Sequence, residues 1–267
     1  MCQLLGMNCN KPAAITFSFE GFCRRGGITG EHADGWGIAF FEDRGCRLFI
    51  DEQASCCSPL AEMIRNYPIK SRNVIAHIRK ATQGVVALQN CHPFQRELWG
   101  RHWIFAHNGD LKGFDPRLGG LYSPVGDTDS ERAFCYLLQC LRAEFGDTPP
   151  SLPALYLALQ GFAAEVARFG VFNFMLSNGE ALFAHCSTNL HYVLRQSPFA
   201  SAKLVDCDVT IDFNRHNHLD DRMAVIATQP LTSNEAWQAF APGELKLFVG
   251  GAPSDGLVRS PLAAFAT

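Results

Sequence analysis

Apolar positions along the chain fall into two groups of short segments, separated by a stretch with a different period. Alternating or uniformly apolar runs rich in β-branched and aromatic residues are typical of strands. In the first group such runs predict strands at 38–41, 47–50, 73–79 and 103–107. The second group predicts strands at 171–176, 181–185, 191–194, 223–228 and 245–249. The first two strands are joined by residues Glu42 to Cys46 and therefore form a predicted hairpin.

The stretch between the two groups has the period of helices. Thr128 and Glu131 are spaced as in a capping box, T-x-x-E, which marks the start of a helix. Apolar residues then follow at helical spacing, namely Phe134, Leu137, Leu138 and Leu141. A second helix is predicted at 152–169, and a shorter one at 58–66.

The order of these elements predicts the fold class. Strands that do not alternate with helices argue against a doubly wound parallel sheet. We therefore predict an α+β fold, with two mainly antiparallel sheets and helices on their outer faces. The 267 residues contain no internal repeat, no low-complexity segment and no Pro- or Gly-rich linker, so 1–267 is expected to form a single domain.

Charge and hydropathy exclude several classes of partner. The net charge is -3 and there is no run of Lys or Arg, so a nucleic-acid partner is not expected. The chain contains no run of about 18 apolar residues, so no transmembrane helix is expected. The N-terminus lacks the basic start and apolar stretch of a signal peptide. We expect a cytoplasmic protein with no membrane partner.

The chain has 11 cysteines, an odd number, and no CxxC pair. A cytoplasmic protein keeps its thiols reduced, and free cysteines are most often inert packing residues. Cys56 and Cys57 are adjacent, which is poor geometry for a disulfide or a zinc site. The sequence contains no convincing metal-ligand cluster, and we expect neither a metal nor another cofactor.

Cys2 differs from the other cysteines because of its position. Once Met1 is removed, Cys2 carries both a thiol and a free α-amino group. The reference pKa of a thiol is about 8.5 and that of an α-amine about 7.7 to 8.0, so the amine is a competent base near neutral pH. Nucleophile and base are then joined in one residue. Taken alone, a cysteine at position 2 is also compatible with no function.

Three further motifs contain polar groups that suit ligand binding. In AHIRKAT (76–82), which overlaps the predicted strand 73–79, His77 and Arg79 project from one face, and an Arg at a strand end can bind a carboxylate through two parallel hydrogen bonds. Asn108 and Gly109 end another strand and offer two N–H donors for an oxyanion hole, although Asn-Gly is also a common turn. Asp129 begins the predicted helix, where an acidic residue can bind an α-ammonium group or simply complement the helix.

Two glycine- or proline-containing loops are more ambiguous. In HADGWG (32–37), the glycines allow close approach of the backbone to a ligand, but a turn with a packed Trp36 is an equally simple explanation. In NCHPF (90–94), His92 is a candidate for catalysis or for a structural role.

Together, these motifs resemble those of a known family. Met1-Cys2, DGWG (34–37), AHIRKAT (76–82), NCHPF (90–94), AHNGD (106–110) and TDSE (128–131), in this order, are similar to the class II glutamine amidotransferases, and most of all to their small stand-alone, YafJ-like branch. ATQPL (227–231) resembles the C-terminal part of that branch. The resemblance implies an N-terminal-nucleophile (Ntn) hydrolase fold, a four-layer αββα sandwich.

The resemblance also implies residue roles. Cys2 matches the nucleophile and its α-amine the base. Arg79 and Thr82 match the residues that hold the α-carboxylate of glutamine. Asn108 and Gly109 match the oxyanion hole.

Two other positions are carried over in the same way. Asp129 matches the group that binds the α-ammonium of glutamine, and Trp36 lies near the loop that approaches the nucleophile. His77 shares the strand face of Arg79, and we include it among the candidate substrate contacts.

The implied activity is that of a glutaminase. It would hydrolyse the glutamine side-chain amide through a Cys2 γ-glutamyl thioester and release glutamate and ammonia. The class usually couples this step to a synthase domain, and the motifs here leave no room for one. A separate synthase subunit as ammonia acceptor, hydrolysis of another γ-glutamyl amide, and a catalytically silent glutamine-binding subunit all remain open.

Overall fold

The computed structural model describes residues 2–82 and 84–254 of the chain. They form fifteen strands and four α-helices. The strands are β1 Gln3–Ala14, β2 Trp36–Glu42, β3 Gly45–Asp51, β4 Lys70–Ile78, β5 Phe94–Leu98, β6 Arg101–Leu111, β7 Gly170–Ser177, β8 Leu182–Cys186, β9 His191–Gln196, β10 Ser201–Lys203, β11 Thr210–Asp212, β12 Arg222–Ala227, β13 Gln238–Ala239, β14 Glu244–Val249 and β15 Ala252–Pro253. The helices are α1 Thr16–Arg24, α2 Pro59–Asn66, α3 Asp129–Phe145 and α4 Leu152–Val166.

The strands form two large antiparallel sheets. The seven-stranded sheet has the order β13-β9-β12-β1-β4-β2-β3, and the six-stranded sheet has the order β15-β14-β8-β7-β6-β5. The two short strands β10 and β11 pair separately. β1 and β4 lie at the centre of the seven-stranded sheet, and β6 and β7 lie side by side in the other.

Three apolar clusters fix the layers of the molecule. Leu4 and Ile75 of the seven-stranded sheet pack with Ile104 and Met175 of the six-stranded sheet, so the two sheets face each other. The opposite face of the seven-stranded sheet packs against α1 and α2. That of the six-stranded sheet packs against α3 and α4. The predicted α+β fold with two antiparallel sheets and outer helices is therefore confirmed.

The helix starts are fixed locally. Thr128 is the N-cap of α3 and its hydroxyl accepts a hydrogen bond from Glu131 N, at 3.2 Å. The second half of the predicted capping box is absent, because the Glu131 carboxylate instead accepts from Gly126 N and from Arg96. Ser58 caps α2 in the same way as Thr128 caps α3, with Pro59 in the first turn.

Seven of these strands and helices were not predicted from the sequence, namely β1, α1, β5 and the short strands β10, β11, β13 and β15. β1 contains Gly6, Asn8 and Asn10, which interrupt the apolar pattern of a strand. Gly6 suits the close approach of the two sheets, since a Cβ would lie 2.7 Å from the Met175 sulfur of the facing sheet and Met175 would have to shift. Asn8 is buried, and its amide donates to Asn73 Oδ1 across the β1–β4 pair at 2.8 Å.

Other predictions differ only in detail. The predicted helix at 152–169 ends at Val166 and continues as a single 3-10 turn, Ala167–Phe169. No helix among the described residues is long and apolar enough to cross a membrane. The single-domain prediction for 1–267 includes residues outside the described ones and stays a prediction.

Candidate active site

Cys2 lies at the entry of β1, at one end of the layer between the two sheets. Its side chain points to the same face of the sheet as that of Leu4, which packs in that layer. Cys2 is buried, with 9% of its surface exposed. The Sγ atom lies 3.3 Å from both the backbone N and the backbone O of Lys80, just beyond the end of β4. Met1 is outside the described residues, so its removal stays a prediction.

The loop that carries Asp34 and Gly35 holds the end of β4 in place. Asp34 N donates to Arg79 O at 3.2 Å, and Arg79 N donates to Gly35 O at 2.8 Å. The Asp34 carboxylate accepts from Ala81 N at 2.8 Å. Gly35 has a φ of +104°, and a Cβ there would lie 2.5 Å from Cys91 Sγ. The DGWG motif therefore fixes the backbone that contacts the Cys2 thiol.

Burial raises the pKa of the Cys2 thiol above its ordinary value. The hydrogen bond from the Lys80 backbone and the positive charge of Arg79 act in the opposite direction, while the negative charge of Asp129 adds to the increase. The thiol is therefore protonated near neutral pH, and its use as a nucleophile requires a nearby base.

Arg79 reaches the same end of the inter-sheet layer. Arg79 is only 3% exposed, and its guanidinium donates to the carbonyl oxygens of Gly84 and Val85, each at 3.2 Å. Thr82 lies in the exposed segment that follows β4. A guanidinium held against neutral carbonyls can exchange them for a carboxylate, which is a stronger partner.

Asn108 and Gly109 lie within β6 rather than at its end. The Asn108 side chain points to the same face of β6 as Ile104 and Ala106, which pack between the sheets. The residue is 1% exposed. Its Nδ2 atom lies 3.4 Å from Thr228 Oγ1, and its Oδ1 atom has no hydrogen-bond partner among the described residues.

The backbone N–H of Gly109 points away from β7. Lys112 N donates towards β7, to Phe169 O at 2.9 Å, whereas Leu111 N donates to Asp129 Oδ2 at 2.8 Å. Because N–H groups alternate in direction along a strand, the N–H of Gly109 lies on the same side as that of Leu111. β5 pairs with β6 only as far as Phe105, so within the described residues no strand covers this edge at Gly109.

Position 109 has no space for a side chain. A Cβ there would lie 1.7 Å from Val171 O and 2.5 Å from His107 Nε2. The His107 ring is held above Gly109 by two hydrogen bonds, from Nε2 to Val171 O at 3.0 Å and between Nδ1 and Ser130 Oγ at 2.8 Å. His107 thus supports the strand from the helix side and does not face Cys2.

Asp129 opens α3 and is 9% exposed. Its Oδ2 accepts from Leu111 N, and its Oδ1 accepts from Ser130 N, both at 2.8 Å. A carboxylate has about four acceptor positions, so these bonds fix the group while leaving capacity for a further donor. Its negative charge contributes to the raised pKa of the Cys2 thiol.

His77 and His92 form a buried pair with tilted rings deeper in the same layer. Their ring centroids are 4.2 Å apart, and neither ring has a nitrogen with a hydrogen-bond partner of good geometry among the described residues. Burial lowers the pKa of His77 to about 3 and that of His92 well below its ordinary value, so both are neutral near pH 7. His77 lies opposite Leu4 in the β1–β4 register, two residues from Cys2.

Trp36 does not join this group. Its side chain is fully buried in the cluster between the seven-stranded sheet and α1, with its ring centroid 5.7 Å from that of Phe19. It therefore lies on the opposite face of the sheet from Cys2. The DGWG motif acts in this structure through Asp34 and Gly35.

Several residues that organise the site were not predicted. Arg25 is buried and binds Gln3 Oε1, next to Cys2, as well as the carbonyl oxygens of Gln229 and Pro230. Thr228 accepts from Leu4 N at 2.9 Å. A signal for Thr228 existed in ATQPL (227–231), but its partners are more than 100 positions away. The described residues include no cluster of three or more His, Cys, Asp or Glu that could hold a metal ion.

Comparisons with known proteins bear on the family of this chain. Residues 1–263 match the family described as "Glutamine amidotransferases class-II". YafJ of Escherichia coli K12 is 52% identical over 251 residues, covering 94% of this chain and 98% of YafJ. A Haemophilus influenzae relative is 50% identical over 264 residues, covering 99% of this chain and 90% of the relative.

Solved structures extend the comparison. A crystal structure of a predicted glutamine amidotransferase from Pseudomonas aeruginosa PA01 is 44% identical, with a TM-score of 0.76 over 94% of this chain and 99% of that one. Glutamine phosphoribosylpyrophosphate amidotransferase from Bacillus subtilis is 13% identical with a TM-score of 0.56, covering 95% of this chain and 48% of that one, and shares the fold. The chain belongs to the class II glutamine amidotransferases, in the group that resembles YafJ.

Proposed function

We propose that this chain is a glutaminase that hydrolyses the side-chain amide of glutamine, with Cys2 as the nucleophile. The observation that carries the proposal is the position of the Cys2 thiol. It is held by the Lys80 backbone at the end of the inter-sheet layer, within the electrostatic influence of both Arg79 and Asp129. A buried cation and a buried anion near one thiol suit a zwitterionic amino-acid head group.

The head group of glutamine would bind through opposite charges. Arg79 would take the α-carboxylate through two N–H donors, with Thr82 as an additional donor from the following segment. Asp129 would take the α-ammonium through the acceptor capacity that Leu111 N and Ser130 N leave open. The side-chain amide of glutamine would then extend towards Cys2.

The chemistry requires a base because the Cys2 thiol is protonated. After loss of Met1, the α-amine of Cys2 accepts the thiol proton, and Sγ forms a bond to the amide carbon of glutamine. The resulting oxyanion is stabilised by Asn108 Nδ2 and Gly109 N–H. One such donor typically contributes about 2.7 to 4 kcal/mol to lowering the barrier.

Collapse of this intermediate breaks the C–N bond, and the nitrogen leaves as ammonia with the proton held by the Cys2 amine. Water then attacks the γ-glutamyl thioester and gives its proton to the same amine. The C–S bond breaks, glutamate leaves, and the thiol recovers its proton. A separate synthase subunit is the proposed ammonia acceptor.

The test is ammonia release from glutamine by protein whose loss of Met1 has been verified by mass. We expect turnover by the wild type and none by Cys2→Ala. Cys9→Ala is the matched control, since Cys9 is a buried thiol on the same strand whose pKa is raised to about 12. It should retain activity.

An active Cys2→Ala protein would refute the proposal. Processed wild-type protein that is inert with glutamine but hydrolyses γ-glutamyl conjugates would make the chain a hydrolase of another γ-glutamyl amide. Binding of glutamine by calorimetry without turnover of either substrate would make it a silent binding subunit.

A further inference from the structure

The hydrogen bonds around Thr228 indicate a role for this residue, which lies outside the proposed catalytic set. Thr228 follows β12 directly and is 3% exposed. Its Oγ1 atom has two hydrogen-bond neighbours among the described residues, Leu4 N at 2.9 Å and Asn108 Nδ2 at 3.4 Å. Both are donors, so the hydroxyl proton of Thr228 has no acceptor.

The Asn108 amide has the complementary deficit. Its Oδ1 atom is buried and has no partner among the described residues. A buried polar group without a partner costs about 1–3 kcal/mol. One pair of side chains therefore holds both an unused donor, the Thr228 hydroxyl, and an unused acceptor, the Asn108 oxygen.

A 180° rotation of the amide pairs the unused donor with the unused acceptor and, within the described part of the chain, leaves only the Asn108 Nδ2 group without a partner. Nitrogen and oxygen of an Asn amide occupy nearly the same positions, and the hydrogen-bond network decides between the two orientations. After rotation, the Thr228 hydroxyl accepts from Leu4 N and donates to Asn108 Oδ1. The Nδ2 group then takes the position away from Thr228 and becomes a free donor.

We propose that Thr228 is a positioning residue that fixes the Asn108 amide with its nitrogen directed towards the oxyanion that develops on the reacting amide. This inference rests on the proposed function, because the free Nδ2 donor matters only if an oxyanion forms at Cys2. The two strands involved support it. Thr228 N also donates to Leu4 O at 3.1 Å, which ties the hydroxyl to the strand that carries Cys2, two residues before Leu4.

The backbone around Asn108 is fixed independently of Thr228. Asn173 Nδ2 donates to Asn108 O at 3.0 Å, and β6 pairs with β7 through Asn108 and Asn173. Loss of the Thr228 hydroxyl should therefore release the side-chain amide of Asn108 without moving its main chain. The amide would then be divided between two orientations, one of which directs oxygen at the developing oxyanion.

The experiment measures kcat and KM for glutamine with Thr228→Val, which has the same shape without the hydroxyl, and with Thr228→Ser, which keeps it. We expect Thr228→Val to lower kcat about tenfold, the equivalent of one hydrogen bond, with KM nearly unchanged. KM should be spared because Arg79 and Asp129 are untouched. Thr228→Ser should restore most of kcat.

A double-mutant cycle separates positioning from a general structural effect, because Thr228→Val also removes the acceptor of Leu4 N. In an Asn108→Ala background, Thr228→Val should cause little further loss of kcat, since its effect acts through the amide. If the two losses multiply, Thr228 acts on Cys2 through Leu4, and the inference is wrong.

The wild-type rate distinguishes the two proposals. If processed wild-type protein releases no ammonia from glutamine, the proposed function fails and this inference fails with it. If the wild type is active while Thr228→Val has the wild-type kcat, only the role of Thr228 is refuted.

Discussion

The two faces of β6 differ in whether their buried polar atoms have hydrogen-bond partners. On the helix side, Phe105 stacks on Phe134 of α3 with centroids 5.1 Å apart, and the buried His107 ring has a hydrogen-bond partner at each nitrogen. On the inter-sheet side, at the Cys2 end, the buried atoms that lack partners among the described residues include both ring nitrogens of His77 and of His92, and Asn108 Oδ1.

The difference separates residues that stabilise the fold from residues that serve the site. Apolar burial on the helix side contributes to stability without any polar requirement. Each unsatisfied polar atom near Cys2 instead costs about 1–3 kcal/mol. Such atoms are expected where a ligand or a transition state supplies the missing partner. Stability and activity should therefore respond to different substitutions.

The largest expected effect contrasts Asn108→Ala with Phe134→Ala. Asn108→Ala should lower kcat by about 10² to 10³, because it removes an oxyanion donor, with little loss of stability. Phe134→Ala should lower the free energy of unfolding by about 3–5 kcal/mol and leave the kcat of folded protein unchanged. Kinetics with glutamine and urea denaturation measure both. The reverse pattern would contradict the division between the two sides.

The second contrast uses two glycines. Gly109→Ala places a Cβ 1.7 Å from Val171 O and should lower the free energy of unfolding by about 1–3 kcal/mol or more, with loss of activity. Gly161→Ala is the control, because Gly161 lies within α4 with no atom within 4 Å of the added Cβ. It should raise the free energy of unfolding by about 0.5–1 kcal/mol. Equal thermal stability of both variants would refute this prediction.

The third prediction concerns the loss of folding stability at acidic pH. Burial lowers the pKa of His77, His92 and His107, whereas the unfolded chain has the ordinary value of about 6.5. Below that pH the unfolded state binds more protons, so stability is present in full above about pH 6.5 and is lost as the pH falls below it.

The slope of unfolding free energy against pH measures this effect. His92→Phe, which keeps the ring contacts with His77 and Phe94, should reduce the proton uptake on acid unfolding by about one. His216→Gln, which removes an exposed imidazole, is the matched control. An unchanged slope for His92→Phe would show that His92 is not held neutral.

The smallest effect on activity is expected for Trp36→Phe. The side chain packs against Phe19 on the helix side of the seven-stranded sheet, so kcat/KM for glutamine should stay at the wild-type value. Stability should fall by less than about 3 kcal/mol, because a large core side chain becomes smaller. A large loss of kcat/KM in folded protein would contradict this prediction and indicate that Trp36 takes part in catalysis or substrate binding.

The sequence could predict elements whose signals are local. The Thr128 cap and the apolar stripe after it predicted the start of α3, and alternation predicted the centres of most strands. β1 was missed because Gly6 and Asn8 interrupt its pattern for reasons of packing against the other sheet and pairing with β4.

The site was predictable in part for the same reason. Cys2, Arg79, Asn108, Gly109 and Asp129 lie in recognisable motifs, and the structure brings the elements that carry them to one end of the inter-sheet layer. The contact of Cys2 Sγ with the Lys80 backbone involves atoms that every residue has, so no residue type signals it. The contact between Asn108 and Thr228 spans 120 positions, which no local pattern encodes.

The central claim is that Cys2 is a nucleophile directed at glutamine. The most direct test is the intact mass of the protein after incubation with 6-diazo-5-oxo-norleucine, an electrophilic analogue of glutamine. We predict loss of Met1 and a single adduct that is absent from Cys2→Ala and present in Cys9→Ala. Protein that has lost Met1 and forms no adduct, or an adduct that persists in Cys2→Ala, would contradict the account.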